Sequence, residues 1–157
     1  MAENLTKDFD PLKLEHQMCF PLYAAARKVT GLYTPVLSEL DLTYTQYIVM
    51  LVLWEKDGVS VKEIGERLFL DSGTLTPLLK NLEKKGLLER SRSKEDERVT
   101  IAKLTADGKK LREKALSIPE KVGSCIPIKP EEAVQLYTIL YKILEIEIGR
   151  ASCRERV

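Results

Sequence analysis

The chain has 157 residues, which is enough for one domain and short for two. Hydrophobic residues make up 44% of it and charged residues 31%, a composition typical of globular proteins and too apolar for a disordered one. It contains no apolar run long enough to span a bilayer, and its first ten residues are polar, unlike a signal peptide. We therefore expect a cytoplasmic protein with no membrane partner.

The numbers of cysteine and histidine residues limit the kinds of site that this protein can form. Three cysteines, an odd number at wide spacing, argue against a disulfide scaffold and favour a reducing compartment. The single histidine, His16, excludes most histidine-based metal sites and catalytic triads. We predict neither a metal, nor a cofactor, nor catalytic residues.

The net charge of +1 hides an uneven distribution. Residues 59–112 hold 13 Lys and Arg against 9 Asp and Glu, whereas the other residues hold 12 against 15. A basic middle favours an anionic partner for that region, although a solvated charged face would produce the same pattern.

The two ends of the chain are predicted to be apolar helices. Asp10-Pro11 is typical of a helix start, and apolar residues then recur at steps of three and four over about residues 10–30. Gly31 and Pro35 end this pattern. The last predicted helix, about residues 131–147, has more apolar positions than one face requires. We expect these two helices to pack together and against a second subunit, as a homodimer.

The middle of the chain predicts a winged helix-turn-helix over about residues 59–104. Thr43 to Gln46 has the spacing of a capping box and opens a buried helix. Two short helices follow, at 61–68 and from Ser72 to about Lys85, and then a hairpin of strands 87–90 and 99–104. Thr105 caps a further helix to about Leu116. The fold class is therefore mainly α with a small β-hairpin wing.

Two groups of side chains in this unit could contact DNA. The second helix offers Ser72, Thr74, Thr76 and Lys80, which could bond base edges and phosphates. Arg90 and Arg98 lie on the wing, and Asp96 could hold the Arg98 guanidinium by an ion pair. The alternative is that the hydroxyls only cap the helix and the wing charges lie in solvent, since many winged helices bind protein.

Cys19 and Cys125 are the thiols that could carry redox chemistry. Cys19 lies beside the apolar stripe of the first helix, where an inert packed thiol is the commoner case. A reactive thiol needs access together with hydrogen-bond donors or positive charge. His16, three residues earlier, and nearby tyrosines could supply these. Cys125 lies in a segment broken by proline and glycine and is either a second redox partner or a bystander.

Four segments resemble the MarR-type repressors, in the branch that regulates organic hydroperoxide resistance. They are Leu14 to Tyr23, Leu42 to Glu55, Leu70 to Leu82, and Asp96 to Arg98 with Leu104-Thr105. The resemblance implies a dimeric repressor that binds operator double-stranded DNA until organic hydroperoxide oxidises a sensing cysteine, here Cys19. It implies that Tyr33 and Tyr44 hydrogen-bond that thiol, and that Cys125 is near the position of a resolving cysteine. A small thiol is an alternative partner for oxidised Cys19.

Pro21 departs from the family pattern and is expected to kink the first helix beside Cys19. Residues 148–157 do not continue the last helix and resemble the translation of a sequencing adapter, so we interpret them as a non-native tail.

Two other functions stay open at this point. One is a repressor of the same fold gated by a phenolic or fatty ligand, and the other is a thiol peroxidase, which no CxxC motif supports.

Overall fold

A computed structural model describes residues 10–145 of the chain. In chain order these residues form a 3-10 turn at Leu14–His16, then α1 Cys19–Leu32, α2 Thr34–Ser38, α3 Tyr44–Glu55, β1 Val59–Ser60, α4 Val61–Leu68, α5 Ser72–Lys84, β2 Leu88–Arg92, β3 Thr100–Leu104, α6 Ala106–Ala115, α7 Ile118–Gly123 and α8 Pro130–Leu144. The chain divides into two compact units, Met1–Gly123 and Ser124–Val157. The end of the predicted last helix, residues 146–147, and the predicted tail, residues 148–157, lie outside the described residues.

The winged helix-turn-helix predicted from the sequence is present. Helices α4 and α5 form the helix pair, and β2 and β3 form the wing as an antiparallel hairpin in which Leu88 pairs with Leu104 and Arg92 with Thr100. The two-residue strand β1 adds to the other edge of β3, so the sheet has the order β1-β3-β2. So short a strand has no periodicity that a sequence pattern could reveal.

Helix α3 forms the centre of the first unit. Its capping box is formed as predicted: the Thr43 hydroxyl accepts the backbone N–H of Gln46, and the Gln46 side chain accepts the N–H of Thr43. Val49, Met50 and Leu53 on this helix are fully buried. They pack with the apolar faces of α4, α5 and the wing, where the buried residues are Ile64, Leu75, Leu79, Leu82, Leu88 and Ala102. The winged helix-turn-helix is thus built around α3.

The prediction of one helix starting at Asp10 is wrong. The chain makes a short 3-10 turn, passes through an extended Gln17, and begins α1 only at Cys19. Pro21 is the physical reason, because it has no N–H for the Gln17 carbonyl and its ring obstructs a preceding helical turn. With α1 beginning at Cys19, Pro21 falls in the first turn, where helix N–H groups have no intrahelical partner. The expected kink is therefore a helix start.

Other prolines also begin helices instead of ending them. Pro35 lies in the first turn of α2, and Pro119 is the second residue of α7, so two helices occur where the sequence was interpreted as broken. Pro130 is the first residue of α8. The fixed φ of proline suits this position.

Two helices leave apolar faces uncovered. Neither α1 nor α8 contains a buried residue. On α1 the exposed apolar side chains include Phe20, Leu22 and Tyr23, and on α8 they include Val134, Ile139 and Tyr141. No helix between residues 10 and 145 is both long enough and apolar enough to cross a membrane.

Candidate DNA-binding surface and thiol site

Local hydrogen bonds position the second helix of the helix-turn-helix. Asp71 caps α5, since its Oδ1 accepts the Thr74 backbone N–H at 2.9 Å and its Oδ2 accepts the Thr74 hydroxyl at 2.9 Å. These bonds, the backbone one foremost, lower the pKa of the Asp71 carboxyl. In the preceding turn Phe69 has a left-handed φ of 54°. Leu70 then donates its N–H to the Gly65 carbonyl at 2.9 Å, which closes the turn.

The hydroxyl groups predicted to contact DNA lie on the outer face of α5. Ser72, Thr74 and Lys80 are exposed, and Thr76 is half-buried. The Thr74 hydroxyl donates to Asp71, and that of Thr76 donates to the Ser72 carbonyl at 2.6 Å. Both hydroxyl protons are thus used within the helix. The oxygens keep lone pairs, so they can accept from donors such as base amino groups.

At the tip of the wing, the predicted role of Asp96 is corrected. Its Oδ1 accepts the backbone N–H of Arg98 at 2.9 Å, and its carbonyl accepts the N–H of Val99 at 2.9 Å. Asp96 therefore shapes the turn and does not pair with the Arg98 guanidinium, because a short side chain two residues away bonds most easily to the backbone. Within residues 10–145 no carboxylate forms an ion pair with Arg98, which is exposed.

Arg90 binds a carboxylate of α5. Its Nε and Nη2 donate to Glu83 Oε2 at 3.1 and 2.6 Å, and its backbone N–H donates to Glu83 Oε1 at 3.1 Å. The side-chain bond from Arg90 is the main cause that lowers the pKa of Glu83. This pairing ties the wing to α5. Because Glu83 partly neutralises Arg90, Arg90 attracts an anionic partner less strongly than does Arg98, which is unpaired within the described residues.

An open groove of about 880 Å³ joins the helix pair to the wing. Its walls include Lys62 of α4, Ser72 and Thr76 of α5, and Arg90 and Arg98 of the wing. Two of the predicted helix hydroxyls, those of Ser72 and Thr76, and the wing cations therefore border one concave surface, whose helix side also carries the carboxylates of Glu66 and Asp71.

The structure separates Cys19 from the two tyrosines assigned to it. Cys19 is the first residue of α1 and is exposed, whereas Tyr33 immediately follows the last residue of the same helix. Fourteen residues at 1.5 Å each place them about 21 Å apart along the helix. His16 lies outside α1, in the preceding 3-10 turn, with its Nδ1 2.8 Å from the Asp10 carbonyl oxygen. A thiol and a phenol at opposite ends of one helix cannot touch within one chain.

Tyr33 and Tyr44 are brought together as a pair. Their ring centroids are 4.9 Å apart in an edge-to-face arrangement, and no described residue hydrogen-bonds either hydroxyl. Burial, and next the nearby Tyr33, raise the pKa of Tyr44. The Tyr44 hydroxyl therefore stays protonated at neutral pH and remains a hydrogen-bond donor.

Sequence reasoning missed Glu83 and Trp54. Glu83 lies only seven residues before Arg90, a spacing that a helix followed by a strand can bring together. Tyr44, Tyr47 and Trp54 share one face of α3 at steps of three and seven, which the helical period would have revealed.

Cys125 is exposed in the connection between α7 and α8, in the second compact unit, and its pairing stays a prediction.

Comparison with known proteins identifies the family. The family model for SarA/Rot transcriptional regulators matches residues 31–115. The organic hydroperoxide resistance transcriptional regulator of Bacillus subtilis is 49% identical over 137 residues, which are 87% of this chain and 93% of the relative. The chain therefore belongs to the MarR-type family of winged-helix transcriptional regulators, in the organic hydroperoxide resistance branch. This confirms the family predicted from the four sequence segments.

Solved structures of AbfR, a protein of Staphylococcus epidermidis, have the same fold. Reduced AbfR bound to DNA is 36% identical, with a TM-score of 0.70 over 83% of this chain and 91% of that one. Overoxidised AbfR, also bound to DNA, is 35% identical with a TM-score of 0.67, over 83% and 94%. Disulfide-formed AbfR is 36% identical with a TM-score of 0.58, over 83% and 89%.

The ion pair between Glu83 and Arg90 leads to a pH-dependent stability prediction. A lowered pKa of Glu83 in the folded state stabilises the fold above the unfolded-state value, near 4.5, and this contribution is lost as the pH falls through the lower folded value. We expect Glu83→Gln to lower the urea midpoint at pH 7, and the difference from the wild type to disappear in acid. Urea unfolding at pH 7 and at successively lower pH checks this.

Glu89→Gln is the matched control, because Glu89 is an exposed carboxylate of β2 that forms no ion pair within the described residues. It should leave the midpoint unchanged at both ends of the pH range. A Glu83→Gln protein as stable as the wild type at pH 7 would contradict the role assigned to the pair.

Proposed function

We propose that this protein is a homodimeric repressor that binds operator double-stranded DNA while Cys19 is reduced. Oxidation of Cys19 by an organic hydroperoxide releases the DNA. One observation is the main support for this proposal. A chain with a winged helix-turn-helix has an exposed thiol at one end of α1 and a pair of phenols at the other. The protein acts as a regulator and not as an enzyme, in the cytoplasm, where both the chromosome and a reducing thiol pool are found.

In the proposed complex, α5 enters the major groove and the wing follows the phosphates. The exposed Ser72 and Thr74 are at the N-terminal end of α5, which such motifs direct towards base edges, and the exposed Lys80 lies further along the helix. Arg98, without a carboxylate partner in residues 10–145, has its full charge available for a phosphate or the minor groove. Arg90 contributes mainly by holding the wing against α5 through Glu83.

The uncovered faces of α1 and α8 support the homodimer. Apolar side chains such as Phe20 on α1 and Ile139 on α8 are about half exposed within one chain. A second copy of the same chain would cover such faces, as in isologous interfaces. A twofold dimer also presents two α5 helices to successive major grooves, which matches a palindromic operator.

The dimer is what brings the sensor groups together. If two α1 helices pack antiparallel about the twofold axis, the Cys19 end of one helix lies beside the Tyr33 end of the other. Tyr33 and Tyr44 of the second copy can then donate two hydrogen bonds to the thiolate. Charge-assisted bonds of this kind favour the reactive form of the thiol.

The sensing reaction is a two-electron oxidation of sulfur. The Cys19 thiolate attacks the terminal peroxide oxygen, the O–O bond breaks, and the alkoxide leaves and takes up a proton as an alcohol. The resulting sulfenic acid then condenses with a second thiol, Cys125 or a small thiol, to form a disulfide and water. Overoxidised AbfR has been solved on DNA, which favours the disulfide as the releasing state. The disulfide displaces the tyrosines, and the two α5 helices lose their spacing.

Replacing Arg98 with Ala tests the DNA surface. We expect weaker operator binding and a smaller dependence of log K on log salt, by about 0.9 for each phosphate that the guanidinium neutralises in the wild type. Thr74→Val, which removes an acceptor but no charge, should alter base preference and leave the salt slope unchanged. Fluorescence anisotropy over a salt series measures both. The control is Lys114→Ala, an exposed cation on α6, and equal effects at Lys114 and Arg98 would contradict the proposed surface.

Replacing Cys19 with Ser tests the sensor. The wild type should lose about 5- to 150-fold in operator affinity after one equivalent of cumene hydroperoxide, a range typical of coupling between two sites. Cys19→Ser should bind the operator equally before and after treatment, because serine is not oxidised. Release of the Cys19→Ser protein by peroxide would show that the sensor lies elsewhere or that the effector is a ligand.

Cys125→Ser separates the two disulfide partners, in a Cys153→Ser background so that the third thiol does not interfere. A Cys19–Cys125 linkage in peptide maps, replaced by overoxidised Cys19 in Cys125→Ser, would support Cys125 as the resolving residue. Unchanged release and recovery in Cys125→Ser would assign that role to a small thiol.

A further inference from the structure

A chain of aromatic rings runs from the tyrosine pair into the centre of the first unit. Tyr33 lies 5.9 Å from Tyr47, and Tyr47 lies 6.2 Å from Trp54, between ring centroids. Tyr47 is only 2% exposed and belongs to the buried core of this unit. Close-packed rings cannot shift independently, so a displacement of Tyr33 must be accommodated by its neighbours.

The far end of this chain reaches the junction of α5 and the wing. The Trp54 indole N–H donates to the Gly108 carbonyl of α6 at 2.8 Å. The Gly108 Cα packs so closely on the Leu87 carbonyl that a Cβ would clash with it. Leu87 and Gly86 form the junction between α5 and β2, and Thr105 binds both of their carbonyls, at 3.1 and 2.6 Å. Trp54 is thus linked through Gly108 and Leu87 to the end of the recognition helix.

Trp54 also has space into which it can move. It is half-buried and borders a cleft of about 330 Å³ between α3 and the α6–α7 segment, together with Leu51, Arg112 and Leu116. A ring packed against Tyr47 on one side and open on the other can take up a second position, which a two-state coupling element requires.

We propose that Trp54 is a positioning residue that couples the tyrosine pair to the DNA-binding unit. Displacement of Tyr33 and Tyr44 on oxidation is passed through Tyr47 to the indole ring. The indole N–H···O bond to Gly108 then shifts α6 and, through Leu87, the base of the wing and the end of α5. The inference rests on the proposed function, because it describes how oxidation at one site reaches the other.

Trp54→Phe tests the coupling, since it keeps an aromatic ring and removes the N–H donor. Cys19 should be oxidised at the wild-type rate, measured by trapping the sulfenic acid with dimedone and mass spectrometry. The reduced variant should still bind the operator. The ratio of oxidised to reduced Kd should fall about five- to tenfold below the wild-type ratio, the value of one hydrogen bond. A full wild-type ratio in Trp54→Phe would overturn the inference.

Asp57→Asn is the matched control. Asp57 links the same elements, because it accepts the Leu104 N–H at 2.7 Å and pairs with Lys109 at 3.2 Å. Asparagine keeps the acceptor and leaves the aromatic chain intact, so the wild-type Kd ratio should be retained. A reduction as large as that of Trp54→Phe would mean that general loosening of the junction is responsible, and would also overturn the inference.

The wild-type protein provides an independent measurement, because Trp54 is its single tryptophan. Oxidation of Cys19 should change the tryptophan emission at the rate at which DNA is released. Unchanged emission with complete release would contradict the coupling. Wild-type protein that keeps its DNA affinity after oxidation would instead contradict the proposed function itself.

Discussion

Helix α1 is a spacer of fixed length, and the proposed sensing site depends on that length. A helix of 14 residues holds Cys19 and Tyr33 about 21 Å apart, so one chain cannot form the thiol–phenol hydrogen bonds. Pro21 lies at the start of that spacer, in the first turn, where its missing N–H costs no intrahelical hydrogen bond. Dimerisation therefore completes the proposed sensor as well as the proposed operator-binding surface. The apolar faces of α1 and α8 supply the surface that a second copy would cover.

The DNA-binding unit is suited to move as one body. Glu83 and Arg90 tie the wing to α5, and Thr105 ties the start of α6 to the junction between them. With these bonds in place, a change in the geometry of the proposed dimer would alter the distance between its two α5 helices more than the shape of either one. A dimer reads half-sites at a fixed spacing, so a rigid displacement is sufficient to lose the operator.

Local rules predicted most of the fold, and the errors come partly from ambiguous local rules and partly from contacts between distant residues. The Thr43 capping box is decided within three residues and is formed as predicted. Prolines were interpreted as helix ends, although the same residue type also favours helix starts. The Trp54 bond to Gly108 joins residues 54 positions apart, and the proposed Cys19 site includes residues of a second chain, so neither follows from local pattern. The pairing of Arg90 with Glu83 was not predicted, because the two residues belong to different elements.

The most direct test is the oxidation rate of Cys19 in heterodimers isolated with two affinity tags. In the first heterodimer one chain carries Cys19→Ser, and the other carries Tyr33→Phe and Tyr44→Phe with Cys19 intact. In the second, all three substitutions are in one chain and the other is wild type. If the tyrosines act across the dimer, the first should oxidise at the wild-type rate and the second about tenfold more slowly, because its thiolate has no phenol donors. The opposite order, or equal rates, would contradict the account.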